Sequence, residues 1–200
     1  MNDVYRTIEN RSEGTYREKG SRFLGFAYPV RSEKDIGEIL SGLKKKMHDA
    51  RHHCYAWRLG ADLTSFRYND GGEPSGSAGP PIYGQIQSRE LTEVLVVVVR
   101  YFGGTLLGVG GLVHAYRAAA SDALDHSRII EKKVTVDIGV EFSYAATDLV
   151  MRIVKQSGLE VLEQRFDNTC SLALSVWIRN VEGIRRKLEL IEGCRITWQR

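Results

Sequence analysis

The stretch Gly103-Gly104-Thr105-Leu106-Leu107-Gly108-Val109-Gly110-Gly111 stands between a β-branched apolar run and an alanine-rich helical pattern. A glycine turn in that position exposes main-chain N–H groups and the positive end of a helix, which together can hold a phosphate or a carboxylate. Arg100, His114 and Arg117 flank it, the last two one helical turn apart. Neither G-x-x-x-x-G-K-[ST] nor G-x-G-x-x-G is present, and Leu106 and Leu107 sit where a lysine would help. The same glycines serve equally well as a tight turn with close strand–helix packing.

Asp70, Glu73, Ser75 and Ser77 form a second polar concentration, inside the loop-like run Asn69 to Pro81. Asp70 and Glu73 have the chemistry for acid–base work, and either can instead order the turn through the local backbone. A serine hydrolase would need a histidine base and its orienting acid beside Ser75. In a strand, His52 and Cys54 share one face, a zinc-like start, but no second ligand pair with metal spacing follows. Side chains two apart on a strand project in parallel, which disfavours a Cys54 nucleophile served by His52. No metal and no cofactor is therefore expected. Tyr55, Trp57, Phe66 and Tyr68 alternate along two neighbouring strand patterns, suited to stacking bases or to filling a core.

The elements that must position these residues can be read in order. Val4 to Ile8 and Phe23 to Val30 predict strands of an opening meander, with Arg11 to Gly14 as a turn. Ser32 predicts the cap of a helix whose buried stripe is Ile36, Ile39, Leu40, Leu43 and Met47, with Lys44 to Lys46 at its negative end. His53 to Gly60 and Thr64 to Tyr68 predict a hairpin, and Ile82 to Gln87 a short helix. The strand Val94 to Arg100 suits a sheet buried on both faces. A helix follows on Leu112, Ala115, Tyr116, Ala119 and Ala123. Ile129 to Val136 predicts a closing strand. From residue 134 onward the pattern is βαββαβ, with Asp167-Asn168 as the central hairpin turn, the order of a ferredoxin-like α+β domain. The expected boundary lies at Lys132-Lys133, dividing residues 1–132 from 133–200.

Two hundred residues, 42% hydrophobic and 26% charged, suffice for one large or two small globular domains. The most apolar run, Val94 to Val99, is far below the roughly 20 residues of a membrane span, and residues 1–11 lack the apolar core of a signal peptide. Three cysteines without C-x-x-C spacing fit free thiols in a reducing, cytoplasmic setting. The net charge of +3 is too small to mark a polybasic nucleic-acid binder by itself, and the whole excess lies before residue 134.

Four segments together, KGSRF at 19–23, ARHHCYAWR at 50–58, NDGGEPSGSAGPPI at 69–82 and VRYFGGTLLGVGGLVHAY at 99–116, closely resemble the YigZ/IMPACT family. The resemblance implies an Impact-type α/β first domain similar to the second domain of a small-subunit ribosomal protein and to the GHMP kinases. It also implies a second domain similar to one of elongation factor G. The family's eukaryotic members are translational regulators acting by protein contact. Its bacterial members are suspected of nucleic-acid or ribosome association, and the resemblance together with the two glycine loops and flanking Arg58, Arg100 and Arg117 points to a non-enzymatic cytoplasmic protein that binds RNA, the ribosome or a translation component. Its motif positions here are His52, Cys54, Arg58, Asp70, Glu73, Ser75, Gly76, Arg100, Tyr101, Phe102, Gly103, Gly104, Gly108, Gly110, Gly111 and Tyr116, with Pro74 beside them. Gly71, Pro80, Leu106 and His114 depart from the family pattern and weaken a metal-binding carboxylate pair and a strongly cationic anion site. The alternative is an enzyme acting on a phosphorylated or carboxylated small molecule, cradled by Gly103 to Gly111 with Glu73, Asp70 or His52 as acid–base groups. The expected site joins the Asp70–Gly79 and Tyr101–Gly111 loops in one electropositive pocket, with Arg58, Arg100 and Arg117 supplying charge.

Overall fold

Six consecutive apolar residues, Val94 to Val99, can be buried only if both faces of their strand are covered, and all six are fully buried. In the computed structural model, which describes residues 3–167 and 169–199, they lie in β6 (Val94–Tyr101). This strand is central in a five-stranded sheet with β2 (Ser12–Glu18), β3 (Ser21–Pro29), β4 (His52–Leu59) and β5 (Ser65–Asn69), ordered β2-β3-β6-β4-β5. Every pairing in it is antiparallel. Val94, Val96 and Val98 pack with Cys54, Ala56 and Phe23 under α2 (Gly79–Ser88) and α3 (Gly108–Asp125). Leu95, Val97 and Val99 face the other way, against Ile36 and Leu43 of α1 (Glu33–Lys46) and against Trp57.

Ser32 and Asp35 build the capping box of α1: the Ser32 hydroxyl accepts from the Asp35 amide at 3.1 Å, and the Asp35 carboxylate accepts from the Ser32 amide at 3.1 Å. Two expectations for the start of the chain need correction. Ser12 to Gly14 is not a turn but the beginning of β2. Gly14 is a glycine because a Cβ there would collide with the Ala123 backbone of α3, so its role is close helix approach rather than chain reversal. β1 (Val4–Ile8) also leaves the meander and pairs with β7 (Ile129–Lys133) in a separate two-stranded sheet.

Contacts divide the chain into Met1–Lys132 and Lys133–Arg200. The second unit runs β8 (Thr135–Phe142), a 3₁₀ turn at Tyr144–Ala146, α4 (Thr147–Gln156), β9 (Glu160–Arg165), β10 (Cys170–Trp177), a 3₁₀ turn at Ile178–Asn180, α5 (Val181–Glu189) and β11 (Cys194–Gln199). Its sheet order is β11-β8-β10-β9, antiparallel throughout, with Ile138, Val140, Leu172 and Leu174 packed against Val150, Ile184 and Leu188. The expected βαββαβ order is therefore present, although Asn168 of its expected central turn lies outside the described residues. Among the described residues, no helix is long and apolar enough to cross a membrane.

Candidate functional site

Antiparallel register brings the start of β4 beside the end of β6, pairing His52 with Arg100 and Cys54 with Val98. The loop after β5 folds back across this corner. The Asp70 carboxylate accepts from the amides of Gly76, Ala78 and Gly79 at 3.0, 2.9 and 2.8 Å, so α2 is capped from nine residues upstream. Pro80 and Pro81 follow in its first turn, where proline loses no helical hydrogen bond. This is why α2 starts at Gly79 rather than at the expected Ile82.

With the loop so anchored, Glu73 turns inward. Its Oε1 accepts from the Arg100 guanidinium and from the Tyr116 hydroxyl of α3, each at 2.7 Å. The side chains of Glu73 and Arg100 are only 4% and 6% exposed. The Arg100 guanidinium lies between the rings of Phe23 and Phe102, 5.4 and 5.5 Å from their centroids. Cys54 donates through its thiol to the Asp70 carbonyl at 3.0 Å, and His52 Nδ1 lies 3.1 Å from the Gly71 carbonyl. Burial, reinforced by the nearby Glu73 and Asp70 carboxylates, pushes the Cys54 thiol up to about 12. Burial likewise raises the Tyr116 phenol far above its ordinary value, with Cys54 and Glu73 adding to the effect. Burial works to raise the Asp70 carboxyl, but its three amide donors outweigh that and hold it below the ordinary carboxylate range. Among the described residues, no group of three histidine, cysteine or carboxylate side chains is placed to hold a metal ion.

His52, Cys54, Asp70, Glu73, Arg100 and Tyr116 thus meet in one network, buried at Cys54, Glu73, Arg100 and Tyr116 and half-buried at His52 and Asp70. Other expected residues fall elsewhere. Arg58 is six residues up β4 from His52, about 20 Å along the strand, and its Nε donates to the Leu63 carbonyl at 3.1 Å. Tyr101 points to the α1 face, where its hydroxyl donates to Asp49 at 3.0 Å. Ser75 and Gly76 are exposed on the loop surface, as are Gly104, Gly108 and Gly110 on the glycine turn; Gly111 is half-buried. Phe102 is 52% exposed and Leu106 83%. Gly103 leans on the β2–β3 hairpin: its amide donates to the Ser21 hydroxyl at 3.1 Å, and a Cβ there would collide with Gly20.

The expectation of a single electropositive pocket is corrected by this geometry. The Asp70–Gly79 loop is fastened at Glu73, whose carboxylate neutralises Arg100 just before the glycine turn and hides it from any ligand. Arg117 alone of the three expected arginines is exposed near these loops. It lines a cavity of about 710 Å³ between α2 and α3 with Gly76, Pro80, Gly84 and Val113. Sequence reasoning missed the pairing of Glu73 with Tyr116 as well as Asp70's capping role. The available signals were a hydroxyl inside an otherwise apolar helical stripe and an acid preceding a glycine-rich run.

A five-stranded antiparallel sheet clad in helices on both faces, with a glycine loop latched by a buried carboxylate and followed by a separate βαββαβ unit, defines the class of this protein. Residues 19–124 match the Impact N-terminal domain. An IMPACT family member of Haemophilus influenzae is 33% identical over 175 residues, spanning 85% of this chain and 84% of that protein. The Escherichia coli family member YigZ is 40% identical over 108 residues, 53% of each chain. A crystal structure described as that of a hypothetical protein superposes with a TM-score of 0.79 at 26% identity, covering 98% of this chain and 97% of the other. The chain belongs to the IMPACT family.

Proposed function

We propose that this IMPACT family member is a cytoplasmic, non-enzymatic protein that acts in translation by binding RNA, the ribosome or a translation component. The observation that carries this reading is the internal use of the acid–base groups. Glu73 is bonded to Arg100 and Tyr116, Asp70 caps α2, and Cys54 is fully buried with its thiol raised. A general acid or base must reach the proton it transfers, and a nucleophile must reach its substrate. Groups committed to the fold in this way favour recognition over turnover, against the small-molecule enzyme alternative. What the glycine turn and α3 offer outward is Phe102, Leu106, Val109 and Arg117, apolar and cationic groups suited to a macromolecular partner.

We also read the first unit as similar to the second domain of a small-subunit ribosomal protein and to the GHMP kinases, and the second as similar to a domain of elongation factor G. The βαββαβ order of the second unit supports the latter. The test is co-sedimentation of the full chain with ribosomes and with ribosome-free RNA across a salt series, with and without nuclease. Binding that weakens steeply with salt is expected. Absence of association with either at low salt overturns the RNA and ribosome forms of the reading, and failure to retain any translation factor in a nuclease-treated pull-down overturns the rest.

A further inference from the structure

The β2–β3 hairpin turns through two residues, Lys19 and Gly20, both with positive φ, 44° and 79°. That pair of angles is the turn type whose twist matches a tight hairpin, and it usually favours Asn or Gly at its first position. Directly behind the turn, Arg17 and Arg22 face one another across the strands in register. Opposed residues in an antiparallel pair have Cα atoms about 4.5–5.5 Å apart, and like charges placed so repel. Arg17, Lys19 and Arg22 are all exposed, and among the described residues no carboxylate forms an ion pair with any of them. Glu18 accepts from the Tyr16 hydroxyl at 3.1 Å on the opposite face of the strand, and Asp49 accepts from the Tyr101 hydroxyl. Arg22 lies over the Tyr101 ring, 4.9 Å from its centroid, which orients the guanidinium. Arg17, Lys19, Arg22 and Tyr101 line an open cavity of about 470 Å³ at this end of the sheet, three cations against one acid in the lining, Glu18.

We infer that the hairpin is a phosphate site, an arginine pair with Lys19 at its tip, built to grip the phosphodiester backbone of a single-stranded RNA. An anion between Arg17 and Arg22 relieves their repulsion. Guanidinium groups match phosphate oxygens in geometry. The hairpin abuts Gly103; the adjacent Phe102 is exposed with its ring over Arg100, on the opposite side of the sheet from Arg22, so only a flexible single strand that rounds the end of the sheet can also stack a base on it. This inference rests on the RNA-binding form of the proposed function and supplies its contact surface.

The test compares full-length wild type with Arg17→Glu and Arg17→Ala/Arg22→Ala, using anisotropy of a labelled single-stranded RNA oligonucleotide over a salt series, with inorganic phosphate as competitor. Arg17→Glu creates a cross-strand ion pair, so its melting temperature should equal or exceed that of wild type while RNA affinity falls. The double variant should bind at least about tenfold more weakly at about 50 mM salt, with a salt slope shallower by about 1.4, as for two lost contacts to a single strand. Competition by inorganic phosphate at low concentration would assign the site to a small phosphate and overturn the RNA occupant. If wild type binds RNA and both variants bind it unchanged, the hairpin site is wrong and the proposed function stands. If wild type binds no RNA, this inference and the RNA-binding form of the proposed function fall together.

Discussion

Replacing Glu73 by alanine tests the idea that the buried network holds the loop rather than performing chemistry. At the observed 2.7 Å between Arg100 and Glu73, an effective dielectric of about 20 gives an attraction of about 6 kcal/mol. Desolvation of two nearly buried charges offsets most of it, so the intact pair adds little net stability. Removing one partner is different, because Arg100 is left charged, 5% exposed and between two aromatic rings. The expected loss is about 3–5 kcal/mol, or about 11–18 °C in melting temperature for a unit of this size. Hydrogen exchange of the β6 amides reports it for the first unit specifically. A triple variant, Glu73→Leu with Arg100→Met and Tyr116→Phe, removes all three polar partners together and should recover most of the loss. A Glu73→Ala loss below about 1 kcal/mol, or a triple variant less stable than the single one, would refute the reasoning.

Three further outcomes are expected. Cys54 should resist iodoacetamide in the native protein at pH 8, because its thiol is buried and raised to about 12; native alkylation of Cys54, read by peptide mass spectrometry, would contradict the packing. Gly103→Ala should destabilise by about 2 kcal/mol or more through its collision with the Gly20 backbone, whereas Gly110→Ala, which meets nothing within 4 Å, should be neutral or stabilising by up to about 1 kcal/mol; thermal melting of the two variants checks the contrast. Asp70 titrates lower in the folded protein than unfolded, so its contribution is complete above its unfolded value of about 4 and is lost as pH falls through the lower folded value. Asp70→Asn should flatten that acid limb and cost about 1 kcal/mol at neutral pH, as measured by melting across a pH series.

Much of the architecture was legible because it depends on local periodicity. The 3.6-residue stripe on Ile36 and Leu43, the alternating faces of Val94 to Val99 and the βαββαβ rhythm after residue 134 are properties of neighbouring side chains. The errors arose where a residue's meaning depends on something distant. Gly14 looked like a turn because the α3 backbone that crowds it is more than a hundred positions away. The start of α2 was set too late because its cap, Asp70, sits nine residues before it.

The sequence alone therefore determined most of the elements and the motif residues that mark the family. Tertiary structure alone decided which charges are available. Glu73 cancels Arg100 although 27 positions separate them, and the cross-strand register sets Arg17 against Arg22, neither of them in an ion pair among the described residues. Charge counts carry no information about pairing, and pairing decides whether a cation holds the fold together or remains free to meet a ligand.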